Sequence, residues 1–136
     1  MPSRNASLDV VFAHNLIVHV AEPLRAMLEM RRVLKPGGLV AIADDDMGSW
    51  LWEPATPLLR EAERVFRLAV GHHGGDPFRP RHHRRLLREA GFARPIAGAS
   101  LGTIGVYGTD EATRDFAVWF VEQISAAEFV QLAAAH

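Results

Sequence analysis

The chain has 136 residues, 49% of them apolar, and a formal net charge of −1, so it can bury the core of one domain and lacks the basic excess of a general nucleic-acid binder. It contains no cysteine, which excludes a disulfide scaffold and a thiolate metal site. No apolar run approaches the roughly 20 residues of a membrane span, and the first five residues, MPSRN, hold no apolar signal segment, so a soluble cytoplasmic protein is expected, with no membrane partner.

Residues 8–13, LDVVFA, are short, β-branched and nearly all apolar, the pattern of a strand buried on both faces. Pro23 suits the first turn of a helix, where its missing N–H is not needed. Leu24, Met27, Leu28, Met30 and Leu34 then fall mostly on one helical face. Lys35-Pro36-Gly37-Gly38 stops that helix with a positive charge, a breaker and two permissive glycines. A second buried strand is predicted over 39–43, followed at once by Asp44, Asp45 and Asp46.

The spacing of Leu58, Ala62, Val65, Phe66 and Ala69 predicts an amphipathic helix over 57–70. Residues 71–80 read as a loop rich in Gly, His and Pro. A third helix over 81–90 is anchored by Leu86, Leu87 and Ala90 and ended by Gly91. Residues 95–107 read as one bent strand or two short ones, interrupted by Gly98, Gly102 and Gly105. Thr109 can cap a last helix, with Asp110 and Glu111 in its first turn and Phe116, Trp119, Phe120 and Ile124 as its apolar stripe.

Strands alternating with helices imply an α/β fold with a mainly parallel sheet and flanking helices. Such sheets bind ligands beyond the carboxyl ends of their strands. Two segments should lie there side by side, Ala13-His14-Asn15 and Asp44-Asp45-Asp46.

The stretch from Ser7 to Asp46, SLDVVFAHNLIVHVAEPLRAMLEMRRVLKPGGLVAIADDD, resembles the later motifs of class I S-adenosylmethionine-dependent methyltransferases. It is most similar to the group that includes ubiquinone and menaquinone C-methyltransferases (methyltransferase type 11). That pattern has an Asp inside a strand, a His before a Pro-started helix, and Arg-Val-Leu-Lys-Pro-Gly-Gly before the next strand. Asp9, His19, Pro23, Arg32, Val33, Leu34, Lys35, Pro36, Gly37 and Gly38 fit it, and LLREAGF at 86–92 resembles a later helix ending of the family. The resemblance implies a partial Rossmann-like fold, with residues 1–136 as a single incomplete domain lacking the N-terminal cofactor-binding half. The family's glycine-rich turn and ribose-holding acidic residue belong to that half. Gly98, Gly102, Gly105 and Gly108 do not replace them, because their spacing is not G-x-G-x-x-G.

By resemblance the cofactor is S-adenosylmethionine and the acceptor a small molecule. Ala13, His14 and Asn15, with Leu16 beside them, would line the cofactor pocket; they also suit the plain capping of a strand end. His19 is expected as a structural hydrogen-bonder before its helix. Asp44, Asp45 and Asp46 suit substrate binding or general-base work, and equally a solvated strand end. Trp50 and Trp52 suit a wall for an apolar substrate or core anchors. No catalytic residue is singled out, since methyl transfer from a sulfonium depends mainly on positioning and desolvation. His72-His73 and His82-His83 lack metal-site spacing, so no metal is expected. Arg79, Arg81, Arg84, Arg85 and Arg88 read as a solvated helix face or, less simply, as a contact for an anionic substrate.

The expected function is a small-molecule methyltransferase, or a truncated remnant of one, inactive without a partner. The alternative is a non-enzymatic association module that uses the half-fold as an interface. A homodimer or a complementing second chain is expected on either reading, because the strand over 8–13 would present an open edge.

Overall fold

The computed structural model describes residues 4–53 and 55–100. Within these residues the chain forms two compact units. One takes in the residues up to Trp50 together with Val70–Ala97, and the other takes in Leu51–Ala69. Of the strand reading over 95–107, residues 95–100 carry no strand, while 101–107 and the helix reading over 109–124 lie outside the described residues.

The first unit is built on a parallel pair of strands, β1 (Leu8–His14) and β2 (Leu34–Ala43). Helix α1 (Pro23–Val33) connects them, as the alternation of the sequence requires. Pro23 stands in its first turn. The helix stops at Val33, one residue earlier than the apolar spacing suggests, and Lys35-Pro36-Gly37-Gly38 lies inside β2. The register explains that motif. Leu8 pairs with Leu34 and Val10 with Leu39, so β2 carries extra residues in a bulge. Gly37 sits there at φ +80°, and a Cβ on Gly38 would come within 3.0 Å of the Asp9 carbonyl oxygen. Across the bulge, Lys35 Nζ donates to both Asp9 carboxylate oxygens at 2.9 Å. The motif Asp and the motif Lys are therefore partners.

Towards their carboxyl ends, over 10–14 and 39–43, both strands alternate. Val11, Ala13, Val40 and Ile42 are buried or half-buried, while Val10, Phe12, His14, Leu39, Ala41 and Ala43 are exposed. Burial on both faces was expected and is not found. Ile42 belongs to the core formed with α1 and α3 (His83–Glu89), which cover one face only, and Phe12 and Leu39 on the other remain 66% and 68% exposed. That core centres on Ile17, Met27, Leu86 and Ala90, with Leu24, Met30, Leu87 and Phe92 against it. Leu28, expected on the inner side of α1, is exposed.

The helix expected over 81–90 divides in two. A 3-10 turn, Arg79–His82, leads into α3. Gly91 closes α3 at φ +86°, its N–H reaching the Arg88 carbonyl while the Phe92 N–H reaches that of Leu87 at 3.0 Å. This is a Schellman ending, with the apolar Phe92–Leu87 pair that accompanies it. Arg31 of α1 donates to the Ala90 carbonyl, joining the two helices by a polar contact as well as an apolar one.

Helix α2 (Pro57–His72) extends two residues past its expected end. In the second unit it buries Ala62, Val65, Phe66 and Ala69, whereas Leu58, expected on that side, is 78% exposed in the first turn. Thr56 accepts from the Leu59 N–H at 3.2 Å as its N-terminal cap, and Trp52 donates to Glu63 at 3.0 Å. Among the described residues no helix is long and apolar enough to cross a membrane.

Candidate functional site

The carboxyl ends of β1 and β2 meet. The register runs to His14↔Ala43, and the Asn15 N–H still reaches the Ala43 carbonyl at 2.9 Å. The chain leaves β1 through Asn15 at φ +46°, a conformation that Asn adopts more readily than most residues. The Asn15 side chain then clasps the neighbouring strand end. Its Oδ1 accepts from the Asp45 N–H at 3.1 Å, and its Nδ2 lies 3.5 Å from Asp45 Oδ2. The two predicted segments are therefore side by side, as parallel strands demand.

The three aspartates differ in role. Asp44 turns inward, and its side chain has no solvent exposure. Its Oδ1 accepts from the Leu16 N–H at 2.8 Å and its Oδ2 from the Val18 N–H at 3.1 Å, which fixes the 3-10 turn Ile17–His19. His83 Nε2, at the start of α3, stands 3.1 Å from Oδ2 but off the line of a good hydrogen bond, so that contact is electrostatic. Burial pushes the Asp44 carboxyl upward, the largest single effect. His83 and the two backbone N–H groups together outweigh it and hold the carboxyl below its ordinary value.

Asp46 faces the turn before α3. Its Oδ2 accepts from Arg81 Nε at 2.8 Å and its Oδ1 from the Gly48 N–H at 3.0 Å. The Arg81 hydrogen bond, chief among these, keeps its carboxyl low. Arg81 also lies over the Phe78 ring, 4.9 Å from its centroid. Gly48 is needed beneath them, since a Cβ there would come within 2.6 Å of that ring.

Asp45 alone of the three keeps an exposed carboxylate. Beside it at the strand ends, His14 is exposed and stacked on Phe12, and Leu16 is 47% exposed. Ala13 is buried and presents only backbone to this corner. Trp50, half-buried, follows the tight turn that the Ser49 N–H closes onto the Asp46 carbonyl. The outward surface of the site is thus His14, Leu16 and Asp45, while Asn15 and Asp44 hold it in shape. An open hollow of about 370 Å³ along the first turns of α1, lined by Glu22, Pro23, Leu24, Arg25 and Leu28, contains none of these residues.

His19 is exposed, and its ring has no hydrogen-bond partner among the described residues, contrary to its expected structural role. His82 and His83 do diverge, one exposed and one half-buried. Among the described residues no cluster of three or more His, Asp or Glu side chains is set to hold a metal ion. His83 is the residue that reading the sequence for metal spacing passed over. The available signal was periodicity: positions 83, 86, 87 and 90 share one helical face, which places His83 inward.

Residues 1–42, which take in β1, α1 and most of β2, match the family model described as a methyltransferase domain. A stretch of 47 residues, 35% of this chain, is 36% identical to an uncharacterized methyltransferase of Schizosaccharomyces pombe and covers 17% of it. A stretch of 98 residues, 70% of this chain, is 31% identical to an uncharacterized 37.1 kDa protein in transposon TN4556 of Streptomyces fradiae and covers 27% of it. The chain therefore spans less than a third of the length of these curated relatives. The similarity to methyltransferases is thus carried by about a third of the chain, in the family match and in the fission-yeast relative alike.

Proposed function

We propose that the chain contributes the β1–α1–β2 part of a class I methyltransferase domain that uses S-adenosylmethionine to methylate a small molecule. The observation that carries this reading is the coincidence of the matched residues 1–42 with the parallel β–α–β unit. The subgroup is that of the ubiquinone and menaquinone C-methyltransferases, on the strength of Asp9, Pro23 and the run from Arg32 to Gly38.

The exposed groups at the strand ends fit this cofactor chemically. Leu16 offers apolar surface to adenine or the methionine chain, the His14 ring offers a flat polar face, and the Asp45 carboxylate suits a cationic ammonium or sulfonium. Ala13 would line the pocket through its backbone and Asn15 would hold the clasp. When bound, the cofactor supplies a methyl group already activated on a good leaving group. The protein's part is then to orient the acceptor and exclude water, for which Trp50 and the exposed edge of Asp45 are the proposed acceptor-side groups. Asp44 and Asp46, tied to backbone and to Arg81, shape the site rather than contact the acceptor.

No glycine-rich G-x-G-x-x-G turn occurs in the 136 residues. Cofactor binding by this chain alone is accordingly weak in this proposal, and a further segment supplies the remaining grip. Titration calorimetry of the 136-residue protein with S-adenosylmethionine should give no saturable heat at micromolar concentration; a low-micromolar site would overturn the need for that segment. Substituting residues 1–42 for the matched stretch of a methyltransferase of known cofactor affinity tests the family reading itself. The folded chimera should keep binding within about tenfold, the scale of one lost good contact; loss of all binding would remove the reading.

The exposed outer face of the sheet favours a second role, association. Val10, Phe12 and Leu39 form an apolar surface on a sheet that has two strands among the described residues, which suits a second copy or a complementing chain.

A further inference from the structure

Three acidic–basic contacts surround the turns that frame the carboxyl ends of the strands, and they differ in kind. Asp46 is bonded to Arg81, and Asp76 lies 3.8 Å from Arg79 Nε. Lys35 neutralises Asp9 at the other end of the strands. Asp44 is the most deeply buried of these carboxylates, and the basic group beside it is His83, at 3.1 Å with 14% side-chain exposure. Arginine and lysine stay charged at any physiological pH, whereas histidine does not. A fully buried carboxylate without a counter-charge is costly. A neutral imidazole with its lone pair at Nε2 would repel it, and the neutral Nε2–H tautomer would face it without charge, so only the imidazolium serves as its counter-ion.

The consequence reaches the site through backbone. The Asp44 oxygens hold the N–H groups of Leu16 and Val18, and the Val18 carbonyl in turn accepts from the Asp76 N–H at 2.8 Å. The turn Ile17–His19 also packs against the turn Arg79–His82 that leads into His83. A change at His83 therefore bears on the residues that present Leu16.

We propose that His83 is a positioning residue for the strand-end site: as the buried counter-ion of Asp44 it fixes the Leu16–Val18 turn, and the surface formed by His14, Leu16 and Asp45 follows its protonation. The link to cofactor binding rests on the methyltransferase reading of that surface; the link from His83 to the turn does not. The charged and titratable groups on the elements that meet here are Asp44, Asp45 and Asp46 after β2, His19 in the 3-10 turn, Asp76, Arg79, Arg81 and His82 before α3, and Arg84, Arg85, Arg88 and Glu89 with His83 on α3. Arg79 and Arg81 face Asp76 and Asp46. His19 and His82 are exposed, whereas His83 is half-buried against Asp44.

The test is nuclear magnetic resonance of the 136-residue chain from about pH 5 to about pH 8, the range of histidine titration. The amide signals of Leu16 and Val18 should shift with the midpoint of the His83 ring protons and not with those of His19 or His82. His83→Gln should abolish that shift and speed exchange of the two amides roughly tenfold, the scale of one charge-assisted contact. His83→Lys, which keeps a permanent charge, should hold the amides protected while removing the pH dependence. Leu16 and Val18 signals that stay still while His83 titrates, or that follow another histidine, would overturn the proposal without any variant being needed. Because no cofactor takes part, this outcome is independent of whether the chain binds S-adenosylmethionine.

Discussion

Asp44 closes β2 with a carboxylate wholly withdrawn from solvent, so each of its partners matters more than it would at the surface. Removing the side chain leaves the Leu16 and Val18 N–H groups without their acceptor. Asp44→Ala should therefore lower unfolding free energy by about 2–4 kcal/mol, the sum expected for two buried donors left unpaired, as read by urea denaturation. The pH dependence follows from the same contacts. The folded carboxyl titrates below its ordinary value, so the unfolded chain binds more protons in acid. The stabilisation is complete above the unfolded value and is lost as pH falls through the folded one, below about pH 4. Asp46 acts in the same direction. An acid melt should thus be shallower in Asp44→Asn than in the wild type; an unchanged slope would mean that the carboxylate is not ionised in the folded chain. From sequence, Asp44, Asp45 and Asp46 form one cluster, suited alike to substrate binding, to general-base work or to a solvated strand end, with nothing to tell its members apart. Only the direction each side chain takes after the strand separates them, and that depends on the turns contributed by residues 15–18 and 76–83, far away in the chain.

At the level of elements, periodicity served well where one face meets one core. Strand β1, helix α1 and the Gly91 ending of α3 lie within a residue or two of where the apolar spacing places them. It served less well at 34–38. Lys35-Pro36-Gly37-Gly38 reads as a helix stop, but the helix has already ended and the same residues make the β-bulge that admits the Asp9 carbonyl. A local pattern cannot distinguish the two, because the need for glycine at 38 arises from a strand 29 residues earlier, by subtraction of 9 from 38. Leu58 shows the opposite error, an apolar residue in helical phase that lies in the exposed first turn of α2. The Gly91 ending allows a sharp check. A side chain there meets both a left-handed backbone at φ +86° and the Arg31 guanidinium, which would have to leave the Ala90 carbonyl. Gly91→Ala should cost about 1–2 kcal/mol, measured as a fall in the denaturation midpoint with no change in slope. A neutral result would place α3's end, and with it the Arg31 contact, in doubt.

For the whole molecule, the unequal faces of the sheet carry the most weight. The nearly continuous apolar run of residues 8–13 suggests a strand covered on both sides, yet only one side is covered. What sequence could not supply is which element does the covering. Helices α1 and α3 occupy one face, and Val10, Phe12 and Leu39 stand 58%, 66% and 68% exposed on the other. Among the described residues β1 pairs only with β2, so its far edge offers unpaired backbone groups beside that apolar face. We expect the chain to associate through this region, as a homodimer or with a second polypeptide. Size exclusion coupled to light scattering should show a mass above the 15.0 kDa of one chain at micromolar concentration. Phe12 contributes little to its own fold, being largely exposed, so Phe12→Glu should leave the unfolding midpoint nearly unchanged while weakening association. Losing about 2 kcal/mol of ring burial corresponds to roughly a 30-fold weaker dissociation constant for each copy engaged. Asp9→Asn, on the same strand but paired with Lys35 in solvent, should leave the mass unaltered and serves as the control. A wild-type monomer with amides protected throughout residues 8–13 would mean that the edge is covered within one chain, and association through β1 would then have to be abandoned.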